Sequence, residues 1–498
     1  MIRGAAAATL SLALIFVIEG GAQAQTITDN EFFIDLAQGL AAGSGRQVGM
    51  GNAFTALADG LDGVGFNPAA AGMRSLSELK RIELRGGGGI SFPGRFGTGD
   101  FFNNGLGSTR GVNIDDSVVL EGGLGLQIGM LGLVGTGEVQ SYIVRGRDGM
   151  PDSNVNLQSF RVGGAFGVLG GDVVVGAGLL ISRMTLTSGL GIGGGFGVDQ
   201  LVQTSAPGME IGAVFRPEGG RFRVGIAGVS HIQATVAPEG AATVVSEGGF
   251  VLPSAVVRPW EARFGFAYQF GRRPLNRRYE LPPDPGPWIR AEDQVSRCER
   301  IRAQLAWEAQ REIAPRAGVS FNERAMCPTI DARPSDAEFW AEEKIRREEE
   351  RNTRGRRIEA EAARIKHQRW IDYETLPRRY FLVSVDVVVI GGVKRSVGID
   401  GFLDQELRLH GSRPSFLPRL GIEGEPWQRR LKLRAGSYVE PGRNVGVAPR
   451  VHFTAGFDVR LFALEFTGPV NPWDFRLGAT MDVTRDYSDL GISIGFWY

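Results

Sequence analysis

The sequence predicts an all-β protein, a transmembrane antiparallel barrel of about fourteen strands. Three observations carry that expectation. Apolar residues recur with period two in segment after segment from Lys80 onward. Past the first two dozen residues, no apolar run approaches the ~18–20 residues that a membrane-crossing helix needs. Glycine, at 73 of 498 residues, is about twice its usual ~7% share; it has no collagen period and sits mostly within the alternating segments.

The alternation is explicit. In 475–483 one face reads Phe475, Leu477, Ala479, Met481, Val483 and the other Arg476, Gly478, Thr480, Asp482. The segments 451–461, 222–226 and 262–270 behave alike. Successive side chains on a strand point to opposite faces, so each segment has an apolar wall and a wall of small, polar and charged groups. A soluble sandwich would turn the apolar wall inward, and a membrane barrel turns it to lipid. Segments of about 10–13 residues match the ~9–11 that cross a bilayer at a tilt. Backbone polar groups in lipid are satisfied only by helices or a closed barrel.

Candidate strands fall at 80–91, 116–127, 132–145, 155–167, 172–185, 206–216, 221–234 and 258–270, then at 380–391, 418–425, 430–440, 450–461, 474–485 and 489–498. Connections after even-numbered strands are mostly tight, such as 129–132 and 169–172. Those after odd-numbered strands are mostly long, such as 92–115 and 235–257. Short periplasmic turns and long outer loops are the expected asymmetry of outer-membrane barrels. The lumen face then holds Arg223, Arg263, Lys432, Arg434, Arg476 and Asp482, for which internal ion pairing is the default.

The flanking regions complete the plan. Residues 1–24 read as a signal peptide: Arg3, the apolar run Ala5 to Ile18, and the small-x-small site at Ala22 to Ala24. Residues 25–79 precede the barrel, whose strands occupy 80–271 and 380–498. Residues 272–379 form a charged, helical insert, placed by strand parity in the periplasm, with helical stretches around 289–313 and 341–351. Charged residues crowd there well above the ~25% of an average chain. Its Cys298 and Cys327 lie in an exported context where disulfides persist; a bond between them and unpaired buried thiols both remain open.

The run Gly49-Met50-Gly51-Asn52-Ala53-Phe54, followed by Asn67-Pro68-Ala69, resembles the N-terminal region of FadL-like outer-membrane transporters, with PorV-type barrels as the related alternative. The last strand, ending Phe496-Trp497-Tyr498, resembles the terminal targeting signal of outer-membrane barrels. The FadL resemblance implies that 25–79 is a hatch plugging the barrel, with Gly49, Gly51, Asn52, Asn67, Pro68 and Ala69 at its gating motif. It implies passive uptake of hydrophobic molecules, such as long-chain fatty acids or hydrocarbons, in a Gram-negative outer membrane. A PorV-type chain would instead be a scaffold for secretion or lipoprotein handling.

Expected partners are outer-membrane lipid, a hydrophobic ligand, the barrel-assembly machinery at the last strand, and a periplasmic protein at the insert. Phe92, Phe96, Phe101 and Phe102 in the first outer loop, with Phe402 and Phe416 in the fifth, are candidates to catch a greasy ligand. Balanced charge, 55 basic against 55 acidic residues, argues against nucleic acid. The four histidines have no metal-site spacing, no Ser/His or paired-carboxylate arrangement suggests an enzyme, and nothing calls for a cofactor.

Overall fold

The computed structural model describes residues 25–39, 43, 45–74, 82–93, 100–105, 117–144, 153–188, 200–237, 244–245, 249–276, 337–375, 379–464 and 473–496. The expected signal peptide, Phe96, Cys298, Cys327 and the expected helical stretch at 289–313 lie outside them. The chain divides into two compact units, residues 280–376 and the remainder.

Fourteen strands close into an antiparallel barrel. They are β1 (Ile82–Ser91), β2 (Val118–Ile128), β3 (Leu131–Val144), β4 (Ser153–Val168), β5 (Val173–Ser188), β6 (Gln200–Phe215) and β7 (Phe222–Val229). The second half is β8 (Glu261–Gly271), β9 (Tyr380–Ile390), β10 (Ser415–Trp427), β11 (Leu431–Glu440), β12 (Arg450–Leu464), β13 (Trp473–Thr484) and β14 (Tyr487–Phe496). Every strand pairs with its neighbours in sequence, and β14 closes on β1 from Gly491↔Ser91 to Gly495↔Gly87. Closure removes the sheet edges that an open ribbon would expose.

The two faces are sorted as the alternation requires. Leu124, Val162, Leu179, Ile211, Phe264, Phe453 and Ile494 are exposed on the outside, whereas Arg85, Arg161, Arg223, Arg263, Lys432, Arg434, Arg476 and Asp482 are buried. Apolar groups outside and charges inside invert a soluble fold and suit an outer face against hydrocarbon. Among the described residues no helix is long and apolar enough to cross a membrane.

The connections sort by end. At one end lie the tight turn 129–130 and the short links 169–172, 216–221 and 428–430; at the other lie 92–117, 230–260 and 391–414. The loop 485–486, between β13 and β14, is a tight hairpin at the long-loop end. Gly129, at φ 61°, supplies the left-handed backbone of a two-residue turn.

Two expectations change in detail. The segment 221–234 is not one strand: β7 leaves the wall at Val229, and Ile232–Thr235 joins a separate four-stranded sheet. That sheet also contains Ala255–Arg258, Ser396–Val397 and the N-terminal Phe33–Asp35, which pairs parallel with both of the last two. The alternation lapses over Gly228-Val229-Ser230-His231 and resumes at Ile232 with the earlier parity, so the pattern alone reads as one strand. Second, β10 begins at Ser415, which puts Phe416 on the outer face of a strand rather than in a loop.

The residues 280–376 are described through one helix, Ala337–Thr375. It contains the predicted stretch 341–351, and its described side chains are mainly exposed. Pairs such as Arg364–Glu361 at 2.6 Å decorate it; each such pair supports a helix by only ~0.2–0.5 kcal/mol.

Replacing Leu124, an outward residue near the middle of β2, with Arg should cost about 2–4 kcal/mol in lipid. Urea titration of the vesicle-inserted protein measures this, and Leu124→Ala should cost much less.

Candidate functional site

Residues 45–74 pack against inward-facing residues of the strands. Phe33–Asp35 pairs at the long-loop end, while the Arg74 guanidinium donates to the Gly129 carbonyl at the tight-turn end, 2.8 Å away. The described residues between them therefore run along the inner face of the wall from one end toward the other. It forms a single helical turn, Arg46–Gly49, then a series of turns, then the 3-10 helix Pro68–Gly72.

Close approach to the wall explains both the small residues of this segment and the glycines of the strands. A Cβ at Gly176 in β5 would stand 2.5 Å from the Pro68 carbonyl oxygen, and one at Gly436 in β11 would stand 2.5 Å from the Met50 carbonyl carbon. Gly225, Gly265 and Gly421 would likewise drive a Cβ into Thr55, Ala56 or Met50. Gly51, at φ 57°, is itself wedged 2.8 Å from the Leu420 carbonyl by the same measure. Only glycine permits backbone to meet backbone at these distances.

The candidate motif residues fall into two groups. Gly49, Gly51 and Asn52 lie against β10–β12. The Gly51 N–H donates to Thr454 Oγ1 at 3.0 Å, and the Thr55 N–H donates to Asp386 Oδ2 of β9 at 2.7 Å. Asn67, Pro68 and Ala69 lie against β5–β7. Asn67 Oδ1 accepts from the Ala69 N–H at 3.0 Å, capping the 3-10 turn, and Pro68 fills the first helical position, where its missing N–H costs nothing. Asn67 Nδ2 reaches the carbonyls of Thr55 (3.0 Å), Ala213 (3.2 Å) and Ile226 (3.2 Å). The last two are register partners in β6 and β7, so one amide ties the segment to itself and to the wall.

Charge pairs hold the rest. Glu423 of β10 accepts from Arg46 at 2.6 and 2.7 Å and from Arg434 of β11 at 2.6 Å. Arg434 and Arg476 share Asp458, at 2.5 and 2.9 Å, and Arg476 also reaches Asp62 of the segment at 2.8 Å. Arg223 and Arg46 both hold Asp59, at 2.6 and 3.1 Å. Burial works against the Asp59 carboxylate, but the two arginines outweigh it and hold the group below its ordinary range. Of the lumen charges expected from the alternation, Arg223, Arg434 and Arg476 thus take part in a network to which the N-terminal segment contributes Arg46, Asp59 and Asp62. Glu423, central to it, and Asp386, which holds the Thr55 N–H, were visible in the sequence only as inward positions of their strands.

His452, buried on β12, is enclosed between Asp482 at 3.0 Å and Glu440 at 2.9 Å, with Tyr438 stacked on its ring at 4.3 Å. The loop aromatics separate. Phe101 and Phe402 are buried in one cluster with Phe32, Tyr142, Met184, Leu186 and Val202. Phe102 packs on its rim, and Phe92 is half-buried just beyond β1.

No family model matches this chain, and neither does any curated protein. Among solved structures it is similar to a Pseudomonas aeruginosa FadL homologue, at 11% identity and TM-score 0.44, covering 91% of this chain and 99% of that one. The CymD monoaromatic hydrocarbon channel gives 11% and 0.43 over 92% and 98%, and the Ralstonia pickettii toluene transporter TbuX gives 10% and 0.42 over 91% and 97%. The closed fourteen-strand barrel itself stands on this chain's own register.

Glu423→Gln, which leaves Arg46 and Arg434 short of an anion, should destabilise the packed segment by about 3 kcal/mol, the low end for a broken buried pair because Asp59 and Asp458 remain. Asn67→Ala should cost about 1–3 kcal/mol by stranding buried carbonyls and an N–H. Hydrogen exchange should quicken over 45–74 in both variants while the wall amides hold.

Proposed function

We propose that this chain is a β-barrel of the Gram-negative outer membrane that lets small hydrophobic molecules diffuse inward, with residues 45–74 acting as its plug. What supports this most is where apolar groups enter an otherwise charged lumen. Tyr142, Val155, Met184, Leu186 and Val202, from β3–β6, turn inward at the long-loop end and meet Phe101 and Phe402. Next to them Leu180, Ala206, Val229 and Ile232 form a second apolar cluster where β7 leaves the wall. Beyond that point residues 200–209 of β6 have no ladder partner in β7. A greasy molecule caught at the loops then has an apolar surface leading to a gap in strand pairing, whereas the axial route crosses Glu423, Arg434 and Asp458. Release sideways into lipid is the cheaper path, because apolar surface gains nothing from a charged lumen.

In this mechanism Asn67-Pro68-Ala69 holds the plug beside the β6–β7 pair, and entry of ligand shifts it. A PorV-type scaffold is the second reading, favoured by the separate unit 280–376, which a diffusion channel does not require.

Cells carrying the gene should take up labelled toluene, dodecane or a long-chain fatty acid several-fold faster than cells without it. No difference, together with co-purification of secreted proteins, overturns the channel in favour of the scaffold. Plug movement has its own test. A Cβ at Gly49 would lie 3.3 Å from Gly456 Cα, and one at Gly456 3.3 Å from Gly49 Cα, so the two backbones are close enough to cross-link. Gly49→Cys with Gly456→Cys, in a Cys298→Ser, Cys327→Ser background, should block uptake when oxidised and restore it when reduced. Unchanged uptake under oxidation would remove the plug from the mechanism.

A further inference from the structure

The outer face of the wall is not evenly covered by side chains. Near the tight-turn end of β9–β11, Phe381, Gly424 and Leu433 are register partners in one outward row. Phe381 and Leu433 are exposed, and Gly424 between them has no side chain. Adjacent strands stand about 4.8 Å apart, so the flanking strands are separated by roughly 10 Å. Between them lies a groove of about 570 Å³, closed toward mid-strand by Ile422. Its described lining includes none of residues 45–74. The alternating neighbours Glu423 and Arg434 are instead buried in the lumen, where they hold Arg46 and Asp458. The groove therefore belongs to the outside of the barrel.

Its open end carries charge. Two positions beyond Phe381 and Gly424 come Arg379 and Pro426, which both line the groove. Arg379 is exposed and has no carboxylate within ion-pairing distance among the described residues. Trp427, next to Pro426, is exposed, and the Arg430 guanidinium stands 5.4 Å from its ring centre. A tryptophan at the end of a lipid-facing strand marks the headgroup level of a membrane. The groove thus presents an apolar slot at acyl-chain depth and two cations where phosphates lie. Within a bilayer every chain is already out of water, so apolar contact gives little preference. Charge at the headgroup and the shape of the slot supply it.

We propose that this groove binds one anionic glycerophospholipid. One acyl chain lies over Gly424 between Phe381 and Leu433, and the phosphate faces Arg379 and Arg430. The site rests on the reading that the outer wall meets lipid, and it is separate from the hydrocarbon route at β6–β7.

Native mass spectrometry of the full chain in detergent, with phosphatidylglycerol added, tests this. The native chain should retain phosphatidylglycerol about tenfold better than phosphatidylcholine, and Arg379→Gln should lose about fivefold, as expected for one basic side chain at a headgroup. Gly424→Leu fills the slot, since a Cβ there meets only the Tyr380 carbonyl oxygen, at 3.4 Å; it should lower retention of both lipids. Gly135→Leu is the control on the outward face of β3, where a Cβ meets only the Arg161 carbonyl oxygen, at 4.0 Å, and it should change nothing. Glycerol 1-phosphate, a headgroup without chains, should not compete. Equal phosphatidylglycerol retention by the native chain, Arg379→Gln and Gly424→Leu overturns the proposal, as does equal retention of phosphatidylcholine by the native chain, or full competition by glycerol 1-phosphate. If Gly424→Leu does not fold, the Arg379→Gln comparison decides. A native chain that fails to insert into vesicles would refute the lipid-facing wall itself, whereas insertion without selective retention refutes this groove alone.

Discussion

Glu423 holds two arginines at once, Arg434 from the barrel wall and Arg46 from the segment inside it. The rest of the interior depends on such sharing. A barrel whose outer face is apolar must turn its charges inward, where water is scarce and an unpaired charge costs several kcal/mol. The wall alone does not balance its own charges. Arg223 finds its carboxylate in Asp59, and Arg476 completes its shell with Asp62. The N-terminal segment is in this sense the missing part of the lumen, and its small residues and the wall's glycines are two halves of one fit.

The interior is divided by chemistry as well as by geometry. Toward the long-loop end, strands β3–β6 present Tyr142, Val155, Met184, Leu186 and Val202 to a packed apolar cluster. Around the N-terminal segment the same barrel presents Glu423, Arg434, Asp458 and Arg476. A molecule crossing the lumen meets these surfaces in turn, and no single solute suits both. The departure of β7 from the wall at Val229 lies at the apolar side of this division.

Aromatic residues in loops illustrate how burial redirects an expectation. Phe101 and Phe402 come from connections more than three hundred residues apart, yet they share a core with Phe32 of the N-terminal region. Their exposure in sequence terms, far from any strand, gave no sign of that partnership. The N-terminal strand Phe33–Asp35 pairs with strands of the 230–260 and 391–414 connections, and Phe32 beside it packs on Phe402 in the cluster that also takes in Phe101.

Period-two alternation by itself determined the strands, their order and which charges face inward, because side-chain direction on a strand is a local property of the backbone. The beginnings and ends of β2, β9, β11 and β12 are legible within a few residues for the same reason. Asn67 was legible as a motif but not as a clamp, since its three carbonyl partners lie up to 159 residues away in sequence. The break at Val229 and the role of Glu423 were decided only by tertiary structure. Each depends on which distant group arrives opposite, and barrel closure sets that through register rather than through any neighbour along the chain.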